Sequence, residues 1–163
     1  MSTRDVLPET LSLLFAELIN GPAPDAAYML NGGDPGLLRT LDHLSSTAAS
    51  KSSSAGGATI AAHVDHVCYG LQLMNRWNDG EADPWSEADW TAAWRRTSVT
   101  DDEWTALRQR LRHETGRWHG ALQQPRDYST IELNGVVASI AHLAYHLGAI
   151  RQIDKSIQGP KAS

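Results

Sequence analysis

Cysteine is nearly missing from these 163 residues, Cys68 being the single one. That rules out an internal disulfide, and also a zinc site built from several thiolates of one chain. So low a count suits a reducing compartment. Excess positive charge is lacking as well: 14 Lys and Arg stand against 19 Asp and Glu, a net charge of −5. With no basic footprint to neutralise phosphates, the balance counts against nucleic acid and anionic membranes as partners. No run approaches the roughly 18 apolar residues needed to cross a bilayer. The N-terminal segment is interrupted by Asp5, Glu9 and Glu17, so a clean apolar leader is missing and a cytoplasmic location is expected. Alternating β-like patterns and internal repeats are absent too.

What is present is helical periodicity in an ordinary globular composition, 41% hydrophobic and 20% charged. The length predicts one domain over residues 1–163, burying roughly two-thirds of its unfolded surface. A first helix over 6–20 carries Leu7, Leu11, Leu14, Phe15 and Leu18 and stops before Gly21-Pro22. A shorter helix follows in "GLLRTLDHLSSTAAS", and the low-complexity stretch 45–58 reads as a flexible surface loop. Thr59 caps a helix over 60–78 with the stripe Ile60, Val64, Val67, Leu71 and Met74. Residues 79–99 read as a long polar connection whose Trp85, Trp90 and Trp94 cover an end or seam of the core.

The capping box Thr100 to Glu103 opens a helix carrying Trp104, Leu107, Leu111, Trp118 and Leu122, which ends before Pro125. The last helix holds Val136, Ile140, Leu143, Leu147 and Ile150. Its start lies either at Ser129 with Glu132 or at Asn134-Gly135. Four long amphipathic helices with one long crossover predict an all-α, antiparallel four-helix bundle.

Seven histidines are the chemical asset of this chain. His142 and His146 stand at i, i+4, which stacks two imidazoles on one helix face about 6 Å apart at Cβ. His63 lies about 60° from the centre of its helix stripe and His66 about 120°, so His63 is the better-placed third ligand. Three neutral imidazoles would leave a position open, the arrangement of a catalytic zinc rather than a structural one. His66 is left as an acid/base group, a supporting neighbour or an exposed residue. His43 and His113 point away from their stripes, and His119 reads as a boundary residue. Arg151, near the apolar face of the last helix, is a candidate clamp for an anionic substrate group or one half of an ion pair at a helix seam. Cys68 reads as a small buried filler.

The segments "GDPGLLRTLDHLS", "TIAAHVDHVCYGLQLMNRWNDGE" and "ASIAHLAYHLGAIRQI" resemble, in that order, the DinB/YfiT-like family. The resemblance runs from about residue 34 to 153. It implies a four-helix bundle, often dimeric, with a divalent metal held by three histidines. Carried onto this chain, "AAHVDH" gives His63, and "HLAYHLGAIRQI" gives His142 and His146. His66 falls where many relatives carry an acidic or other polar residue, and Ala149 stands where many carry Gln after the glycine. The resemblance further implies a metal-dependent enzyme acting on a small molecule. Its chemistry would be a thiol S-transferase-like reaction with a low-molecular-weight thiol, or hydrolysis. A non-catalytic, metal-stabilised bundle is the reading from another class. Imidazole donors suit zinc, nickel, copper and iron, with zinc and then nickel preferred.

Overall fold

The computed structural model describes residues 3–161, with side chains from residue 6 onward. Among the described residues there are six α-helices and no β-strand. They are α1 (Thr3–Asn20), α2 (Gly36–Asp42), α3 (Ser46–Ala49), α4 (Ile60–Asn78), α5 (Asp101–Leu122) and α6 (Thr130–Ile153). Single 3-10 turns lie at Ala92–Arg95 and Lys155–Ile157.

The helix ends follow local hydrogen-bonding chemistry. The hydroxyls of Thr59, Thr100 and Ser129 accept from the main-chain N–H three residues on, at the starts of α4, α5 and α6. At Thr100 and Ser129 the glutamate three residues later answers back, so both are complete capping boxes. Ser129 therefore sets the start of α6, and Gly135 lies inside the helix. The expected helix in "GLLRTLDHLSSTAAS" is instead two, because the Ser45 hydroxyl caps α3 and breaks the run. Within the stretch read as a loop, Ala49 of α3 is fully buried, and an isolated bridge joins Ser52 to Thr59.

Gly21 and Gly36 bring the end of α1 against the start of α2. Both have positive φ, 88° and 69°. A Cβ on Gly36 would stand 2.3 Å from the Gly21 nitrogen, so no side chain fits there. The loop between these glycines is tied down by the buried Glu17 carboxylate, which accepts from the N–H groups of Tyr28, Met29 and Leu30.

α4 packs against both α5 and α6, and α1 packs against the same two helices. The stripes expected from sequence meet in one core, with Phe15, Ile60, Leu111, Leu143 and Ile150 among its most buried members. Side-chain pairs give the helix directions. His63 meets His146 and His66 meets His142, so α4 and α6 are antiparallel. Asp65 pairs with Arg110, Asn75 with Glu114 and Asp79 with Arg117, so α4 and α5 run parallel rather than antiparallel. A parallel neighbour cannot be reached by a tight turn, which is the physical reason for the long connection over 79–99.

By length and composition α6 is the one described helix long and apolar enough to cross a membrane. Val136, Ile140, Leu143, Leu147 and Ile150 of this helix are buried within the protein, the other use such a helix has.

Candidate metal centre

Four histidines converge where α4 crosses the middle of α6. His63 and His146 face each other through their Nδ1 atoms at 2.8 Å. His146 Nε2 stands 2.9 Å from His142 Nε2, which is 3.1 Å from His66 Nε2. One ring nitrogen from each of His66, His142 and His146 lies within 4.8 Å of the other two, and this group can hold a metal ion. Among the described residues the group contains no carboxylate and no thiol.

A cation answers a problem that these contacts pose. A ring nitrogen carries either one proton or one in-plane lone pair, so it serves one such neighbour well and not two. His142 Nε2 has two nitrogens beside it. A divalent ion among the three lone pairs satisfies all of them. With metal–nitrogen bonds of about 2.0–2.1 Å and tetrahedral angles, the nitrogens would sit about 3.3–3.4 Å apart, slightly wider than the contacts here.

The electrostatics favour neutral rings, the form a ligand needs. Burial lowers the pKa of His63 and, with the charge of His66 as a smaller cause, that of His142. His66 is lowered by burial and then by His63, while the Trp90 main chain and Asp65 oppose the shift. His146, only 3% exposed, is pushed down to about 3, first by burial and then by His142, His63 and His66.

The crossover before α5 supplies the roof. Trp94 stacks on His66, ring centroids 4.5 Å apart, and meets His63 edge-on at 5.4 Å. Trp90 lies 5.8 Å from His66. Arg96, just past the 3-10 turn, donates to Asp65 on α4 at 2.9 Å, and the Thr59 hydroxyl donates to the Arg96 carbonyl. This roof explains the placement of His66. Helical phase on α4 alone puts it on an outer flank, but the tryptophans cover that flank and leave His66 only 9% exposed.

The structure thus brings His63, His142 and His146 together as neighbours and adds His66, which sequence phase did not single out as a ligand. Arg151 is held elsewhere: its Nη2 donates to buried Asp34 at 2.7 Å, an ion pair at the seam between α6 and the start of α2. Cys68 is buried, its sulfur accepts from Arg110 Nε at 3.3 Å, and burial pushes its thiol up, away from nucleophilic form. His43 and His113 are exposed, and His119 sits at the boundary, 3.0 Å from the Ser12 hydroxyl.

Beside His66 and His142 a cavity of about 400 Å³ opens between α4 and α6, with Trp85 and Trp90 on its outer side. The molecule is thus an all-helical protein with a roofed cluster of neutral imidazoles facing an apolar cavity. Comparison with protein-family models, curated proteins and solved structures returns no match.

Proposed function

We propose that this protein is a metal-dependent enzyme of the DinB/YfiT-like kind, a four-helix-bundle domain that carries out thiol S-transfer on a small molecule. The observation that carries the reading is the convergence of ring nitrogens from His66, His142 and His146, with no carboxylate or thiol in the group. The histidine-bearing segments of α4 and α6, and the long crossover ahead of α5, support the family assignment. A divalent ion bound there, zinc or nickel, supplies acidification of whatever weak acid takes the open position.

His142 and His146 hold the ion from α6, and one histidine of α4 completes the set. The nitrogen geometry favours His66 in that place, and the resemblance favours His63. The α4 imidazole left outside the set accepts the proton of an entering low-molecular-weight thiol. The sulfur lone pair then forms a bond to an electrophilic carbon of the second substrate. The carbon's bond to its leaving group breaks, the leaving group departs with the electron pair, and the imidazolium returns its proton to solvent. Thiol and electrophile become thioether, free leaving group and a proton released to solvent. With Arg151 paired to Asp34, substrate anchoring falls to the roof and the cavity. We read the enzyme as cytoplasmic, alone or as a homodimer, without nucleic acid or membrane partners.

The test is thiol consumption by the zinc- or nickel-loaded protein with an alkyl halide as electrophile. Turnover is expected to need the metal and to vanish in His142→Ala. If His66 is the third ligand, His63→Ala lowers metal affinity by about 10–100-fold, as loss of an orienting partner does, and His66→Ala lowers it further. Metal-dependent hydrolysis of an ester or amide, without thiol consumption, would replace S-transfer by hydrolysis. An ion bound without turnover of either kind would make the site a cross-link between α4 and α6.

A further inference from the structure

The cavity beside the histidines has a chemical character of its own. Leu71 and Met74 on α4 face Leu143 on α6, and Trp85 and Trp90 close the outer side. No Lys, Arg, Asp or Glu lines it. Its one hydroxyl, Ser139, is already committed, donating to the Val136 carbonyl at 2.7 Å and accepting from Trp118 Nε1 at 3.0 Å. Besides the indole N–H groups of Trp85 and Trp90, the polar side-chain atoms left to a ligand are those of His66 and His142, at one end.

Two glycines keep this space open. A Cβ on Gly70 would touch the His142 ring at 3.6 Å and the Trp90 ring at 3.8 Å, so a larger side chain there projects into the cavity. Gly135 lets Trp77 lie against α6, where a Cβ would stand 2.8 Å from the indole. Trp77 in turn carries Trp85 edge-on at 5.1 Å, so the aromatic wall depends on the bare backbone at Gly135.

We infer that this cavity is a binding subsite for an uncharged, mainly apolar small molecule carrying one aromatic or compact aliphatic group, with its reacting end at His66 and His142. An apolar wall with a few polar atoms at one end orients such a ligand, and about 400 Å³ lies in the lower part of the usual range for small-molecule pockets. A carboxylate or phosphate on the buried part would lose its water and find no Lys or Arg in the cavity wall to replace it. What happens at the histidine end rests on the function proposed above; what the cavity admits rests on its walls.

The test is a titration of the metal-free protein with para-nitrobenzyl alcohol and with para-nitrobenzoate, followed by calorimetry and by quenching of tryptophan fluorescence. The alcohol is expected to bind once per chain, and the carboxylate about tenfold more weakly or worse. Gly70→Leu should abolish alcohol binding by filling the space. Ala138→Phe, at an exposed position on the cavity rim, should do the same with helical circular dichroism and zinc uptake unchanged. If Gly70→Leu does not fold, Ala138→Phe decides. Equal binding of the two probes, no binding of either, or full alcohol binding in the filled variant overturns the inference. Selective alcohol binding by a wild-type protein that takes up no zinc would sink the metal reading and leave the subsite standing.

Discussion

His146 sits at the back of the cluster with three other imidazoles around it, and its response to acid is a direct readout of that crowding. Its pKa in the fold is about 3, against an ordinary value of 6.5. Between those two values the unfolded chain binds a proton that the folded chain refuses, so acid favours unfolding. His63, His66 and His142 are shifted in the same direction. Metal-free protein should therefore hold this contribution in full above about pH 6.5 and lose it progressively as pH falls toward 3. Thermal melts at about pH 7 and pH 5 check this: the midpoint should be lower at pH 5, by a smaller margin in His146→Asn. A midpoint that rises on acidification contradicts it. At this scale the sequence was readable where one helix decides the environment. His142 and His146 needed only i, i+4 spacing, and Cys68 only its place beside the α4 stripe. His66 was not readable, because the atoms that bury it belong to Trp90 and Trp94, which lie more than twenty residues further along the chain.

The helices themselves were written plainly in local chemistry. Thr59, Thr100 and Ser129 announce their helices by caps that depend on a few neighbouring residues. The crossover over 79–99 was not readable in the same way, since its path is fixed by distant partners: Asp65 for Arg96, the Thr59 hydroxyl for the Arg96 carbonyl, and Trp77 for Trp85. Thr59 joins both kinds of control, since one oxygen caps α4 and donates to the crossover. Thr59→Ala is expected to cost about 1–2 kcal/mol through the cap, together with loosening of the roof. Denaturant unfolding reads the first effect. A red shift in tryptophan emission in the folded variant reads the second, as Trp90 and Trp94 move toward water. Unchanged stability together with unchanged emission would show that Thr59 does neither.

For the whole molecule, the apolar stripes established that long helices share one core, while the directions of those helices lay beyond them. Stripes on α4 and α5 are compatible with either direction. The choice falls to pairs such as Asp65 with Arg110 and Asp79 with Arg117, together with a crossover long enough to return the chain. That parallel step places α6 antiparallel to α4 and leaves the roof over their crossing. The histidines, the tryptophans and the cavity are thus products of one arrangement of chain, and the claim on which the rest depends is that the imidazoles share an ion.

Metal content per chain is the most direct measurement of that claim. It should be made by elemental mass spectrometry on protein purified without a polyhistidine tag and exposed to zinc or nickel. The wild-type chain should retain about one divalent ion, and His142→Ala should retain none, since among the described residues the group able to hold an ion is His66, His142 and His146, and the substitution leaves it only two imidazoles. A wild-type chain that emerges without metal, or a His142→Ala chain that keeps the full complement, contradicts the account.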